Sequence, residues 1–521
     1  TVILGQSHLN ITQISKEVPS DLWAYVDGRS LAKIHVDFPH TAGKGESTIT
    51  LSSHLEGVSV DLPAPVGKPK NTKKSFEAVL KIGGNSLPVT ANYGDELKTH
   101  FLFNEKTPNK FELGRADIHF GTTKAALPER SGIQLSGTLK QLNISDWQKA
   151  LGFEKHQAVS YSIVNQVNLN VHELHWLDTL VEQVHVTGHH KKSIWSGTLS
   201  GRNFSGRYQV PDDLSGENKI SLDLDVLKLP SIEGGAYRNK KPPLNPAEVP
   251  NIDLSSKEFF IGTSQLGELA LALRRKTNGM VIEQLSLTSA RDNFKANGAW
   301  EVNIEKSVTG LKGRLNSQSL GSLLKETGMT SKLKDAPADI YFDLNWPGDP
   351  QDFSKDFLNG YVELKSEQGR LLDIEPGIGR VFGLLSLNTL QRRLQLDFSD
   401  LVQKGLSFDK IKGRFNLLSG VANTDRFYLE SPSSRLDFQG QINLAKEELN
   451  QLITVTPKTT ESLPLAGAIA GGPLVGAAVY IVQKIAGKTV NQLTGYQYQV
   501  SGPWRDPKVK QISQPGGKIF G

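Results

Sequence analysis

The seven residues Ile220-Ser221-Leu222-Asp223-Leu224-Asp225-Val226 alternate apolar and polar without a break. Successive side chains of an extended strand point to opposite faces. The run therefore places four aliphatic groups on one side and Ser221, Asp223 and Asp225 on the other. A helix would scatter the same residues around its axis. The period recurs in both directions along the chain. It appears in Ile34-His35-Val36-Asp37-Phe38, in Val58-Ser59-Val60-Asp61-Leu62 and in Val167-Asn168-Leu169-Asn170-Val171. Farther on it appears in Trp300-Glu301-Val302-Asn303-Ile304, Ile340-Tyr341-Phe342-Asp343-Leu344 and Arg435-Leu436-Asp437-Phe438. Gly, Asn, Asp and Pro separate these runs at short intervals, as turns require. The expected fold is mainly β, an antiparallel body of half-apolar strands.

Composition removes several functions. The 521 residues include no cysteine, which excludes a disulfide framework, a thiolate zinc site, an iron–sulfur cluster and a cysteine nucleophile. Lys and Arg number 59 against 54 Asp and Glu, a surplus of +5 too small to mark a nucleic-acid binder. The chain opens Thr1-Val2-Ile3-Leu4 with no initiator Met, and reads as part of a larger protein.

Helical spacing is sparse. Ile374, Ile378, Val381, Phe382 and Leu385 share one helical face. Two segments share a frame, Gly137–Gly152 and Gly313–Gly328. Each has Leu two residues after the first Gly and reads as a strand end running into a short helix, with Ser145 or Ser319 as N-cap. The expected organisation is a β segment over 1–235, a Pro-rich basic linker or loop over 236–250, a second β segment over 251–460, and a C-terminal part over 461–521. That last part opens with Ser462–Gln483, which carries no charge. Its length would span a bilayer, but Pro464, Pro473 and four glycines weaken a simple span, and an interfacial or buried helical hairpin is the other reading.

Catalytic chemistry finds little purchase. The cluster His172, Glu173, His175, His185, His189 and His190 places His172 and His185 opposite one another if the chain turns near 177–179, and imidazoles so placed would suit zinc. The spacing is not the helical His-Glu-x-x-His pattern, and adjacent strand residues face opposite ways, so a solvated sheet face is the plainer reading. Asp223/Asp225 and Asp397/Asp400 stand at polar positions of strands or loops. Gly377-Ile378-Gly379 lacks the third glycine of a dinucleotide loop. The tracts Lys68–Lys74 and Arg238–Lys241 lack interleaved aromatics and read as loops.

A sheet with one apolar face must cover it. A second sheet would do so in a sandwich. With amphipathic helices scarce, the other solution is a curled trough whose inner face is covered by lipid acyl chains.

The C-terminal third carries an ordered set of segments: Gly369–Gly377, Arg380–Leu387, Leu390–Leu401, Gly405–Asp409, Gly413-Arg414-Phe415, Leu429–Pro432 and Leu436–Leu444. Over 369–455 this order resembles the AsmA-like envelope proteins of Gram-negative bacteria, and within them the YhdP family. The apolar stretch beyond it and Tyr496–Pro507 also fit; upstream of about 340 the likeness is one of style. The resemblance implies an elongated, curved antiparallel sheet forming a lipid-lined groove. It implies phospholipid transport between inner and outer membranes, with no catalytic residues and no cofactor. It further implies a periplasmic body, anchored to the inner membrane by a part absent from this chain, with its C-terminus near the outer membrane.

On that expectation the alternation supplies candidate lining positions. They are Ile34, Val36 and Phe38; Val167, Leu169 and Val171; Ile220, Leu222, Leu224 and Val226; Ile340, Phe342 and Leu344; and Leu436 and Phe438. Leu463, Ile469, Leu474, Val479 and Ile481 are the expected membrane-proximal residues. The expected partners are phospholipid acyl chains, the two membranes and envelope proteins, without nucleic acid. The alternative is an assembly factor for outer-membrane biogenesis that binds protein rather than lipid.

Overall fold

The computed structural model describes residues 1–17, 21–38, 46–107, 110–150, 164–176, 179–230, 246, 249–303, 306–328, 332–372, 406–432, 434–458 and 495–513. They fall into two compact units, Thr1–Leu227 and Lys228–Gly521. Outside the described residues lie the helical pattern at Ile374–Leu385, Asp397/Asp400, Arg238–Lys241, most of the 236–250 linker, and Ser462–Gln483 with its five membrane-proximal candidates.

The first unit is built from β1 (Val2–Asn10), α1 (Ile11–Glu17), β2 (Val26–Asp37), β3 (Ser47–Ser53), β4 (Val58–Val60), β5 (Phe76–Ile82), β6 (Ser86–Tyr93), β7 (Leu97–Thr107), β8 (Lys110–Phe120), β9 (Gly132–Asn143), α2 (Ile144–Ala150), β10 (Val164–Trp176), β11 (Thr179–Lys191), β12 (Ile194–Ser200), β13 (Phe204–Pro211) and β14 (Lys219–Leu229). Neighbours run antiparallel from β1 through β2, β3, β5, β6 and β7 to β8, and again from β10 to β14. The short β4 pairs with the start of β2, where Gly28 meets Val58. Gly28 has φ 112°, and a Cβ there would stand 2.1 Å from the Gly57 carbonyl oxygen, so only glycine lets the two backbones approach.

Strand β9 departs from the expected pattern: it runs parallel to both β8 and β10. Parallel neighbours cannot be joined by a tight turn, and the chain supplies longer returns through 121–131 and through α2 onward. Alternation reports which face a side chain takes and is blind to strand direction.

The second unit comprises β15 (Asn251–Ile261), β16 (Ser264–Lys276), β17 (Gly279–Thr288), β18 (Asp292–Asn303), β19 (Lys306–Ser317), α3 (Leu320–Glu326), β20 (Leu333–Asp335), β21 (Ala338–Pro347), β22 (Asn359–Leu371), β23 (Leu406–Leu418), β24 (Val421–Glu430), β25 (Ser434–Asn443), β26 (Glu448–Pro457), β27 (Tyr496–Pro503) and β28 (Lys508–Ser513). Its described pairings are all antiparallel: successive strands from β15 to β19, then β19 with β21, then onward to β28, with β20 on β22.

Both shared frames run from a strand into a short helix, β9 into α2 and β19 into α3. Ser319 caps α3, its side chain accepting from the Ser322 N–H. Ser145 does not cap α2; it lies inside that helix, and Asn143 Oδ1 accepts from the Asp146 N–H at 3.2 Å instead. The routes then diverge. Beyond α2 the chain returns parallel in β10, whereas beyond α3 it returns antiparallel to β19 in β21.

The polar face of the second unit repeats one arrangement. Arg314, Arg414 and Arg435 pair with Asp339, Glu363 and Asp437 at 2.6, 2.9 and 2.7 Å. The same guanidinium groups lie 5.0, 3.9 and 4.0 Å from the ring centroids of Tyr341, Tyr361 and Tyr428. Charges with water on one side contribute little stability individually, but they fix which face stays wet.

Candidate functional site

Directly paired residues in a sheet share a face, so register alone traces how far an apolar surface extends. In the first unit one row runs Ile34, Leu51, Ala78, Ala91, Thr99, Ile118, Leu135, Val167, Gly188, Gly197, Tyr208, Leu222, twelve strands without interruption. A second row beside it includes Phe76, Tyr93, Leu97, Phe120, Leu169, Val186, Leu199 and Leu224. Val36 begins a third through Ile49, Leu80, Val89 and Phe101. The sequence-derived positions Ile34, Val36, Val167, Leu169, Leu222 and Leu224 thus stand in adjacent rows of one face, and Val171 pairs with Leu139 and Val184 on it. Ile220 is buried in the same strand as Leu222, and Phe38 stands just beyond the end of β2, exposed.

Val226 belongs elsewhere. A register shift between Ser205 and Gly206 pairs Val226 with Ser205 and brings Leu227 opposite Phe204. Two residues of β14 meet one of β13 there, and the strict alternation read across 220–226 ends at Leu224.

In the second unit the row is Leu254, Leu271, Leu285, Ala296, Gly313, Phe342, Val362, Phe415, across eight strands. Leu269, Leu287, Phe294, Leu315, Ile340 and Leu364 run beside it, and Leu273, Ile282, Leu311 and Leu344 on its other side. Ile340, Phe342 and Leu344 share this face. Most of its members are half-buried; Leu254, Leu271, Phe342 and Val362 keep part of their surface open.

The covering changes toward the C-terminus. Beyond β23 the face continues through Leu429, Leu436, Val455 and Tyr496, and through Phe427, Phe438, Ile453 and Tyr498. Leu436 is 0% and Ile453 1% exposed, with Leu320 of α3 and Leu333 of β20 packed against the cluster. Phe427 bridges Phe415 and Phe438, at ring distances of 5.1 and 5.2 Å. Beside this closed end lies a cavity of about 380 Å³, lined by Phe415, Phe427, Phe438, Ile442, Leu449 and Val500 among others. Burial pushes the phenol of Tyr496 up to about 12 and that of Tyr498 higher still. On the first unit's face burial raises Tyr208 and pushes Tyr93 up to about 12. Burial disfavours the charged phenolate at all four positions.

The residues that suggested other chemistry are accounted for locally. His185 does not face His172; it pairs with Asn170, whose Oδ1 lies 2.8 Å from His185 Nδ1. The hairpin keeps a single register from Val171 opposite Val184 to Glu173 opposite Glu182, which leaves His172 level with position 183 and two residues short of His185. His190 Nε2 lies 2.8 Å from Asp212. Among the described residues no three His, Asp or Glu side chains converge as a metal site. Asp223 pairs with Arg207 at 2.5 Å. The Lys68–Lys74 tract is consumed internally. Lys68 is buried, donating to the Val58 and Pro69 carbonyls, and Lys70, Lys73 and Lys74 pair with Asp27, Glu56 and Glu96. Among the described residues no helix is long and apolar enough to cross a membrane.

Sequence reasoning missed three members of the second unit's apolar region that carry polar groups, Thr424, Gln451 and Trp504; the Thr424 hydroxyl donates to the Arg414 carbonyl. Gln451 does break the alternation Leu449, Ile453, Val455 on its face, and that break was the available signal.

Comparison with known proteins agrees with this architecture. The family model described as "YhdP protein" matches residues 2–509. The intermembrane phospholipid transporter YhdP of Escherichia coli K12 is 23% identical over 502 residues, covering 92% of this chain and 38% of the relative. The chain therefore spans well under half the length of that transporter. A match running almost from end to end of this mainly β chain makes it a member of the YhdP family.

Proposed function

We propose that the chain carries phospholipid between the inner and outer membranes of a bacterial envelope, with acyl chains lying along the apolar face and head groups left in water. One observation carries this reading: the paired rows, apolar but for Thr99, run through twelve strands of the first unit and eight of the second, and many of their members are only half-covered by protein. A lipid tail completes such a face without any covalent step. Moving about thirty bare CH₂ groups through water would cost roughly 24 kcal/mol at ~0.8 kcal/mol each, and an aliphatic lining removes most of that barrier. The E. coli relative, a named intermembrane phospholipid transporter, supports the assignment. The surface acts as a groove, and the body lies in the periplasm, joined to the inner membrane by a part of the protein outside this chain.

Replacing Leu271 by Asp tests this. Leu271 is half-buried in the middle of its row, so a charge there interrupts the apolar path at modest cost in stability. In the intact parent protein, transfer of phospholipid between donor and acceptor membranes is expected to fall at least tenfold while strand content is unchanged. Undiminished transfer in a folded L271D protein would remove the proposal and leave a protein-binding scaffold as the better reading.

A further inference from the structure

Five large apolar side chains stand open to water along one edge of the second unit: Val302 at 38%, Val308 at 39%, Phe353 at 57%, Phe357 at 50% and Leu418 at 70% exposed. Register places them together. Val302 and Val308 flank the turn from β18 to β19, and Val308 pairs with Pro347, where β21 leaves the sheet for the loop 348–358. Strand β22 begins at the same edge, and its Gly360 pairs with Leu417, next to Leu418. The loop holds Phe353 and Phe357 on a braced frame. Trp346 Nε1 donates to the Asp349 carbonyl at 3.0 Å, and the Trp346 ring meets Phe353 edge-on at 5.2 Å. The Gly420 N–H donates to the Leu358 carbonyl, and Asn359 Oδ1 accepts from the Ser419 N–H. Exposed apolar groups gathered in one place and fixed there mark a surface that something else covers.

Inward, Trp346 and Leu358 form a buried cluster with Leu417 and Ala422, and Phe415, Ile442 and Leu444 pack against it. Those last three also line the cavity of about 380 Å³, which presents only apolar surface. Phe415 in turn ends the eight-strand row. One layer of packed side chains thus joins the exposed edge to the cavity and the row. We infer that this edge is where the protein meets a lipid bilayer, with Phe353, Phe357 and Leu418 inserted among the acyl chains at its surface. The inference rests on the lipid-carrying function proposed above. The exposed side chains stand on three neighbouring connections, a line of separate tips, and fluid hydrocarbon closes around each tip. The charges point the same way. The loop carries Asp349, Asp352 and Asp356 against Lys355, and Lys355 is paired with Glu447 at 2.9 Å. Such a loop gains nothing from anionic head groups, so attachment here depends on apolar burial.

The chain has no cysteine, so Leu418→Cys accepts an environment-sensitive fluorophore at that position alone. The full chain labelled there is mixed with vesicles of phosphatidylethanolamine and phosphatidylcholine, with or without a quencher on the acyl chains. The emission should shift to the blue and be quenched from within the bilayer. Enrichment in phosphatidylglycerol, or added salt, should leave the response unaltered. Phe353→Asp and Phe357→Asp should each weaken it about tenfold, the worth of one large apolar side chain moved out of water, with strand content kept. The same label on Tyr341→Cys, on the wet face and 45% exposed, should not respond. Vesicle binding with no response at 418, as attachment through the apolar stretch 462–483 alone would give, overturns the inference. So does a response at 341 equal to that at 418, a response that requires phosphatidylglycerol and vanishes in salt, or one that neither Asp variant weakens. The Leu271→Asp transfer assay separates the two levels. No insertion at 418 in a protein whose transfer depends on Leu271 ends this inference and leaves the transport reading standing. Insertion at 418 with transfer indifferent to Leu271 ends the transport reading and leaves a membrane-bound scaffold.

Discussion

The eight-strand row from Leu254 to Phe415 and the C-terminal cluster around Leu436 arise from the same period-two pattern, yet they are finished differently. Leu436, Ile453 and Val500 are closed over, with Leu320 and Leu333 packed against their cluster, while Leu254, Leu271 and Phe342 stand half-open on a continuous face. The difference lies in one excursion of the chain. The segment after β19 folds back as α3 and β20 and supplies aliphatic cover where the C-terminal strands need it. Alternation determines a face and says nothing of its lid. On the function proposed above, the uncovered face is the one that takes lipid, and the closed cluster is a packed protein core.

The comparison can be broken first at its closed end. Leu436→Ala should cost about 2–5 kcal/mol, because it leaves a cavity among residues that cannot collapse, whereas Leu271→Ala should cost less than half of that; chemical denaturation of each variant measures the difference. Equal losses would mean that the two regions are covered alike. Leu224, at 3% exposure, should behave like Leu436, so Leu222, half-buried in the same strand, is the better place in the first unit to disturb the surface without disturbing the fold.

The lid itself comes next. Ser319→Ala removes the oxygen that accepts from Ser322 N at the start of α3, and should cost about 1 kcal/mol, with the earliest loss of amide protection in α3 and β20. No change in exchange there would show that the cap does not hold the cover in place.

Alkaline titration sharpens the contrast from another side. An unfolded tyrosine ionises near 10, while burial holds Tyr496 protonated up to about 12 and Tyr498 beyond it. Between these values the unfolded chain loses its protons first, so stability is intact below about pH 10 and falls as pH rises toward 12. Tyr498→Phe should flatten that fall; an unaltered alkaline slope would place the phenol in contact with water. The smallest effect belongs to the wet face. Arg414→Ala, which frees Glu363 and uncovers Tyr361, should change stability by less than about 1 kcal/mol and leave lipid transfer unaltered.

Much of this was legible in the sequence. Ile34, Val167, Leu222 and Phe342 could be assigned to an apolar face because a strand's geometry leaves them no choice. The parallel placement of β9 was not legible, since direction depends on how long the returning segments are and where they run. Val226 was misassigned because a bulge depends on pairing with Ser205, a partner more than twenty residues away. His172 and His185 miss each other for a different reason: facing imidazoles need a hairpin centred between positions 178 and 179, and Trp176 paired with Thr179 centres it one residue earlier, which gives His185 to Asn170. Gln451 stands two residues from both Leu449 and Ile453, so the period alone puts it on their face, and the register with Gly440 and Val500 agrees.

The central claim is that acyl chains, and not protein, complete the apolar rows. Phe342 and Tyr341 are adjacent in β21 and point to opposite faces, Phe342 into the row and Tyr341, 45% exposed, beside Arg314 on the wet side. Benzoyl-phenylalanine placed at each position in turn, in the protein within its native envelope, reports what touches either face. Phospholipid adducts at 342 with none at 341 are the predicted result; adducts equal at both positions, or at neither, would contradict it.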